Sequence, residues 1–122
     1  MGKVIVQRVR EYVGQGDRPA KTAVFLVDRV WPRGLSKADL DAEWVKEAGP
    51  TTQLRKWFGH DPERWQEFQR RYRAELDERP ESTTPLREAL ETQDVLLLFD
   101  AKDTERNQAV VLAGWLREQS SS

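Results

Sequence analysis

Two unbroken apolar runs, at residues 23–27 and 95–99, constrain the fold of this chain more than any other feature. Each run is short, contains β-branched or aromatic side chains, and is followed by polar residues. This pattern is typical of a strand that is buried on both faces. Because helical patterns lie between the two runs, we predict α/β layering with the two strands as parallel neighbours at the centre of the sheet.

The segments around these runs predict the rest of the sheet and its connections. Residues 4–9 alternate between apolar and polar side chains and predict a strand near a sheet edge. Residues 10–21 combine glycine and proline with charges and predict a loop. The first buried strand is expected to extend to Arg29, and residues 44–46 to be extended. Ser36 is expected to cap a short helical turn.

Three helices are predicted after residue 50 from caps and apolar spacing. Thr51 is expected to cap a helix that ends at Gly59. Asp61 and Pro62 begin the clearest helix, whose apolar stripe is Trp65, Phe68, Tyr72 and Leu76. Another helix follows Thr84 and Pro85 and extends to Thr92. A last helix follows the second buried strand, with Asp103 or Thr104 as its cap.

Length and composition exclude several classes of protein. The 122 residues predict one α/β domain over residues 1–119, a short and mostly parallel sheet flanked by helices, with a disordered tail at residues 120–122. There is no cysteine and one histidine, so we expect no metal and no cofactor. A formal net charge of −1 argues against bulk attraction to nucleic acid. The chain also lacks a membrane-length apolar stretch or a secretory signal, which predicts a cytoplasmic protein without membrane contact.

Cations follow both buried strands where the strands leave the core. Arg29 and Arg33 follow the first run, and Lys102 follows the second, just before a helix. The carboxyl ends of parallel neighbours lie at one sheet edge, where α/β proteins bind ligands. Arginine forks, a lysine charge and a helix start all suit an oxyanion. We therefore predict a cleft for a small anionic or phosphorylated ligand, with Trp31 as a wall.

An alternative interpretation gives these cations a structural role. The arginines would pair with Asp28, Asp100 or Asp103, and the tryptophan–proline pair would close the sheet edge. Either arginine by itself fits this interpretation better than it fits ligand binding. The anion site therefore depends on several cations converging at one edge.

Asp103 and His60 are the candidate proton carriers if the chain is an enzyme. Aspartate serves as a general base in many enzymes, and histidine titrates near neutrality. The structural alternatives are that Asp103 caps a helix and that His60 bonds a backbone group in its turn. Asn107 is expected either to bind the ligand or to support Asp103. The structural roles are favoured for the carboxylates, and the sequence does not decide whether the chain catalyses a reaction.

Two other functions are compatible with the residues. A nucleic-acid-binding accessory protein would stack bases on Trp31 or Trp57 and contact phosphate through Arg33 and Arg55. A non-catalytic interaction module would do neither. No glycine-rich phosphate loop of the dinucleotide or P-loop type is present.

Two sequence segments resemble a known family. Residues 28–34 spell D-R-V-W-P-R-G and residues 97–103 spell L-L-F-D-A-K-D. Together they resemble the YeaO-like branch of the domain-of-unknown-function family number 488, and the similarity extends over nearly the whole chain.

The resemblance implies a small, mainly bacterial, cytoplasmic α/β domain without a settled activity. The residues it carries onto this chain are Arg29, Trp31, Arg33, Arg55, Lys102, Asp103 and Asn107. Two positions depart from the family pattern: Asp100 stands where a small residue such as serine is expected, and Gln108 where histidine is frequent.

Overall fold

The centre of the molecule is a parallel sheet. The computed structural model describes residues 2–16 and 19–120, and within them the sheet has four strands in the order β1-β4-β2-β3. The strands are β1 (Val4–Arg8), β2 (Thr22–Leu26), β3 (Glu43–Trp44) and β4 (Asp94–Phe99). The predicted α/β fold with a short parallel sheet is confirmed.

The two apolar runs form the central strand pair of this sheet. β2 and β4 are parallel, with Phe25 opposite Leu97 and Leu26 opposite Leu98. Successive residues of β4 face opposite sides, so that Leu97 packs into one hydrophobic cluster and Leu98 into the other. The predicted burial on both faces is therefore confirmed. β1 pairs with β4 on one side and lies at an edge, as its alternating pattern predicted.

Helices cover both faces unequally. The described helices are α1 (Val9–Gln15), α2 (Thr52–Phe58), α3 (Trp65–Glu78), α4 (Thr84–Leu90) and α5 (Gln108–Ser120), and 3₁₀ turns lie at Lys46–Ala48, Pro62–Arg64 and Pro80–Thr83. The smaller cluster is formed by α1 and Leu40 against one face of the sheet. The larger one is formed by α2 to α5 against the other face. The fold is thus layered, with one thin and one thick side.

Capping residues and apolar spacing in the sequence predicted α2 and α3 correctly. The Thr51 side chain accepts a hydrogen bond from Leu54 N, and Gly59 ends α2 in the left-handed region with φ 52°. In α3 the predicted stripe faces the core, with Phe68, Tyr72 and Leu76 buried. Asp61 caps a 3₁₀ turn that leads into α3, because its side chain accepts from Glu63 N.

The prediction of a loop at residues 10–21 is wrong. Residues 10–15 belong to α1, whose buried side chains Val9 and Tyr12 lie one turn apart and pack on the sheet. Gly16, at φ 79°, ends the helix. The apolar pattern of α1 covers only one helical turn, and the charged residues around it concealed the helix in the sequence. Residues 17 and 18 of the predicted loop lie outside the described residues.

The boundaries of several other elements also differ from the predictions: α4 ends at Leu90 rather than Thr92, and Lys46 begins a 3₁₀ turn rather than being extended. β2 ends at Leu26, and Asp28 lies beyond the strand with its carboxylate bonded to Asp100 N. α5 begins at Gln108, and its cap is Asn107, whose Oδ1 accepts from Val110 N at 3.1 Å. Asp103 caps the preceding turn instead, at Glu105 N and Arg106 N. Ser120 still belongs to α5, and Met1 and residues 121–122 lie outside the described residues.

None of the helices within residues 2–16 and 19–120 combines the length and the apolar character that crossing a bilayer requires.

Truncation of Leu97 tests the central strand pair. Leu97 has 0% of its surface exposed, and Leu97→Ala leaves a cavity between β4 and the helices of the thick side. We expect it to lower the free energy of unfolding by about 2–5 kcal/mol in urea denaturation. The control Ile5→Ala, at a position 42% exposed on β1, should cost less than about 1 kcal/mol. Equal losses would contradict the assignment of the core.

Candidate functional site

A cavity of about 700 Å³ opens at the carboxyl ends of β2 and β4. Its walls are the two segments that follow these strands, residues 28–33 and 100–103, and side chains from α2, α3 and the start of α5. The remaining lining residues are Pro50, Arg55, Phe58, His60, Phe68 and Gln108. Parallel pairing of the two strands therefore brings the predicted strand exits together.

The lining changes character with depth. Arg33, Arg55, Lys102 and His60 are exposed and form the rim of the cavity. The floor is buried and mainly apolar, and its members are Pro32, Pro50, Phe58 and Phe68. The rings of Phe58 and Phe68 are stacked, with centroids 4.3 Å apart. A cationic rim thus surrounds an aromatic floor.

The side chains of the rim cations Arg33, Arg55 and Lys102 make no hydrogen bond or ion pair within the described part of the chain. Arg55 acts on the Asp28 carboxyl only through its charge. Like charges that share a cavity raise one another's free energy unless an anion lies among them. This arrangement suits an oxyanion, because a guanidinium group can form two parallel hydrogen bonds with it and an ammonium group adds a point charge.

Arg29 lines the same cavity, but its guanidinium forms hydrogen bonds and an ion pair with residues of the fold. Nε donates to Pro50 O at 2.7 Å, Nη2 donates to Gly49 O at 3.2 Å, and Nη1 lies 3.7 Å from Glu47. The carboxylates expected as structural partners are not the ones that it contacts. Arg29 therefore holds the segment before α2 against the exit of β2.

Trp31 forms a wall of the cavity, as expected. Its Nε1 donates to Leu35 O at 2.6 Å, and the edge of its ring meets Trp44 with the centroids 5.4 Å apart. Trp44 Nε1 in turn donates to Asp28 O at 2.7 Å. These contacts fix the ring of Trp31, so the wall is preorganised.

Asp28 is the acidic group of the cavity floor. Its Oδ2 accepts from Asp100 N at 2.9 Å, and its Oδ1 accepts from Gln108 Nε2. Burial raises the pKa of the Asp28 carboxyl to about 7, and the charge of Asp100 acts in the same direction, while the hydrogen bonds and Arg55 oppose it. From sequence, Asp28 was expected mainly as a partner of the arginines, whereas its carboxylate bonds Asp100 N and Gln108. Its position directly after a buried run was the signal that it would line this edge of the sheet.

Asp100 is neutralised from the thin side of the sheet. Arg10 of α1 donates to Asp100 from Nε at 2.9 Å and from Nη2 at 3.4 Å. The extra negative charge at this position therefore does not face the rim cations unpaired. This pair was not predicted, because Arg10 was expected to lie in a loop rather than in α1.

Asp103 and Asn107 organise the loop before α5. The Asp103 carboxylate accepts from Arg106 N and Glu105 N and lies 3.2 Å from the Arg106 guanidinium, and these contacts lower its pKa. It lines the cavity as a stable carboxylate and is a weak base. Asn107, expected at the ligand, is 0% exposed and does not line the cavity, since Nδ2 donates to Asp103 O and Oδ1 caps α5.

His60 lies at the rim in the turn after α2. Its backbone has a φ of 59°, and its ring centroid is 5.8 Å from that of Phe58. The imidazole is therefore close to both the aromatic floor and the opening. No group of three or more histidine, cysteine, aspartate or glutamate side chains among residues 2–16 and 19–120 is arranged to hold a metal ion.

Comparison with known proteins identifies the family of this chain. The family model described as the inactive DUF488-N3 subclade matches residues 3–122. The chain belongs to this subclade. The resemblance to family 488 is therefore confirmed.

Proteins similar to this chain occur in several bacteria. The chain is 44% identical to the Escherichia coli (strain K12) protein named "Uncharacterized protein YeaO" over 94 residues, which are 76% of this chain and 82% of the relative. It is 35% identical over 112 residues to "Uncharacterized protein Rv3073c" of Mycobacterium tuberculosis (strain ATCC 25618 / H37Rv) and to "Uncharacterized protein Mb3100c" of Mycobacterium bovis (strain ATCC BAA-935 / AF2122/97), which is 91% of each chain. No solved structure matches.

The two segments that carry the family resemblance face one cavity. Residues 28–33 and 100–103 both line it, although about seventy positions separate them in the chain. In this member of the subclade, the W-P-R and A-K-D pieces therefore line one cavity.

The pH dependence of stability tests the environment of Asp28. The pKa of the carboxyl is about 7 in the folded chain and about 3.9 when unfolded. The folded state therefore holds the proton more tightly, and the free energy of unfolding should fall as pH rises from about 4 to 7. We expect the Asp28→Asn variant to lose about 2–4 kcal/mol less than the wild type over that interval in urea denaturation.

Glu63→Gln is the matched control, because Glu63 is exposed and lies outside the cavity. This variant should keep the pH profile of the wild type. If Asp28→Asn also kept it, the carboxyl would not be protonated on folding.

Proposed function

We propose that the cavity at the carboxyl ends of β2 and β4 binds a small anionic or phosphorylated ligand. The observation that carries the proposal is the rim of three cations, Arg33, Arg55 and Lys102, whose side chains make no hydrogen bond or ion pair in the described chain. The guanidinium groups would grip the oxyanion, and the ammonium would add charge. Arg29, Trp31 and Asn107 would support the site by holding its walls and the loop before α5.

Binding without turnover is the form of this function that we favour. The subclade whose model matches is described as inactive. Asp103, a candidate proton carrier, has a lowered pKa and is a poor base at neutral pH. If a reaction occurs, His60 at the rim is the better candidate, because it is exposed and next to the apolar floor.

The nucleic-acid interpretation has weaker support. The Trp57 ring lies against Arg71, with the guanidinium carbon 4.3 Å from the ring centroid, and against Arg64 at 5.3 Å. These cations occupy a surface on which a base would stack. Trp31 lines the cavity and is not displayed on an open face. An interaction module without a ligand remains the outcome expected if no anion binds.

A thermal-shift titration with inorganic phosphate tests the proposal. Ligand that binds only the folded state raises the melting temperature by mass action. We expect phosphate to raise it in the wild type, and Arg33→Ala, Arg55→Ala and Lys102→Ala each to weaken apparent affinity about tenfold or more, since each removes a charged contact.

Lys56→Ala provides the control, because Lys56 adjoins Arg55 on α2, is exposed, and does not line the cavity. Phosphate should shift this variant as it shifts the wild type. Equal losses in Lys56→Ala and Arg55→Ala would mean that the chain attracts anions only through its general charge. Binding of oligonucleotides with a steep salt dependence would instead favour the nucleic-acid function.

A further inference from the structure

We propose that the occupant of the cavity is a flat aromatic or heteroaromatic ring that carries an oxyanion such as a phosphate. This inference rests on the proposed function and specifies the class of ligand. It follows from the size of the cavity, from the chemistry of its floor, and from the order of charge and apolar surface with depth.

The size of the cavity exceeds what a bare oxyanion fills. Its volume is about 700 Å³, within the range of roughly 300–1,000 Å³ of sites for small organic molecules. A tetrahedral oxyanion takes the room of only a few water molecules, at about 30 Å³ for each water. Most of the cavity would remain for another part of the ligand.

The floor is suited to an apolar and planar group. Phe58 and Phe68 are 5% and 1% exposed, and their rings are stacked with an interplanar angle of 18°. Pro32 and Pro50 add buried apolar surface. Water forms few favourable contacts with such a surface, whereas an aromatic ring is stabilised there by burial of its apolar area and by contacts with the phenylalanine rings. The ring of Trp31 is fixed by its hydrogen bond to Leu35 O. It therefore supplies a wall that loses little conformational freedom when a ligand binds.

Polarity is arranged in one direction through the cavity. Cations are at the exposed rim, and the apolar side chains are at the buried floor. A ring that enters first leaves its oxyanion beside Arg33, Arg55 and Lys102. The opposite orientation would bury the oxyanion against phenylalanine, away from these cations, at a large desolvation cost.

Asp28 gives the floor a polar group that fits a heteroatom of such a ring. Asp100 N and Gln108 Nε2 hold its carboxyl in place. In the ionised form the carboxyl accepts from a ring N–H, and in the protonated form it donates to a ring nitrogen or carbonyl. Its pKa of about 7 makes both forms accessible near neutrality. Arg55 and Asp100 act on it through their charges, and its own charge acts on Tyr72. The other charged or titratable groups of the same cavity are Arg29, Arg33, His60, Lys102 and Asp103, and Asp100 is paired with Arg10.

Matched phosphate esters separate the ring from the oxyanion. Isothermal titration calorimetry should compare phenyl phosphate with methyl phosphate, which carry the same ionic group. We expect phenyl phosphate to bind at least tenfold tighter, because its ring is buried in the floor. Adenosine monophosphate and ribose 5-phosphate form a second pair, in which the heteroaromatic ester should be the tighter ligand.

Variants test whether the ring preference comes from this cavity, and the readout is the ratio of the two affinities. Trp31→Leu and Phe58→Leu should each reduce the ratio of phenyl to methyl phosphate affinity at least threefold. Arg55→Ala should weaken both esters and leave the ratio near that of the wild type. Urea denaturation verifies that the Phe58→Leu protein is folded, and Trp31→Leu alters a half-buried wall rather than the core.

The outcomes distinguish this inference from the proposed function. If both esters bind equally in the wild type, the inference is overturned while the anion site stands. If phenol binds as tightly as phenyl phosphate, the oxyanion has no role and both proposals fail. If no phosphate ester or inorganic phosphate binds, both fail as well.

Discussion

The parallel pairing of β2 with β4 is the constraint on which the rest of the structure depends. Two apolar strands placed side by side in the same direction bring both of their exits to one edge. Each exit then carries polar residues that the sheet interior cannot accommodate, so the edge collects charges of both signs. Helices on both faces bury the strands, and the cavity forms where α2, α3 and α5 reach beyond the strand ends.

The charges at this edge are divided between structural pairs and free groups. The Arg29 guanidinium donates to backbone carbonyl oxygen and lies beside Glu47, and Asp100 is paired with Arg10. Arg29 and Asp100 therefore have partners other than the cations of the rim. The exposed side chains of Arg33, Arg55 and Lys102 line the cavity without a hydrogen bond or ion pair in the described chain. A structural role is thus shown for Arg29, although its partners are not the carboxylates expected from sequence.

Much of this arrangement was predictable from sequence because it follows from local patterns. Length and lack of polar residues marked the two buried strands, and caps marked α2 and α3. The convergence of Arg33, Lys102 and Trp31 followed from the parallel pair. Arg55 and His60 reached the same cavity through helix packing, which spacing alone does not reveal.

The features that escaped prediction depend on contacts between distant residues. α1 is a short helix whose stability comes from packing rather than from its own pattern. The partner of Asp28 is Gln108, eighty positions away, and burial of that carboxyl depends on the whole edge. The start of α5 was misplaced because Asp103 and Asn107 both cap turns, one after the other.

Arg10 links the thin side of the molecule to the opening of the cavity. Besides its bond to Asp100, its Nη2 donates to the carbonyl oxygen of Arg33 at 2.9 Å. One guanidinium on α1 therefore joins the two strand exits, through the Asp100 carboxylate at one and the Arg33 carbonyl at the other, from the face of the sheet opposite to α2 and α3. The link between the two halves of the rim thus depends on a helix that contributes no side chain to the lining, so fraying of α1 would release it without altering any residue of the cavity.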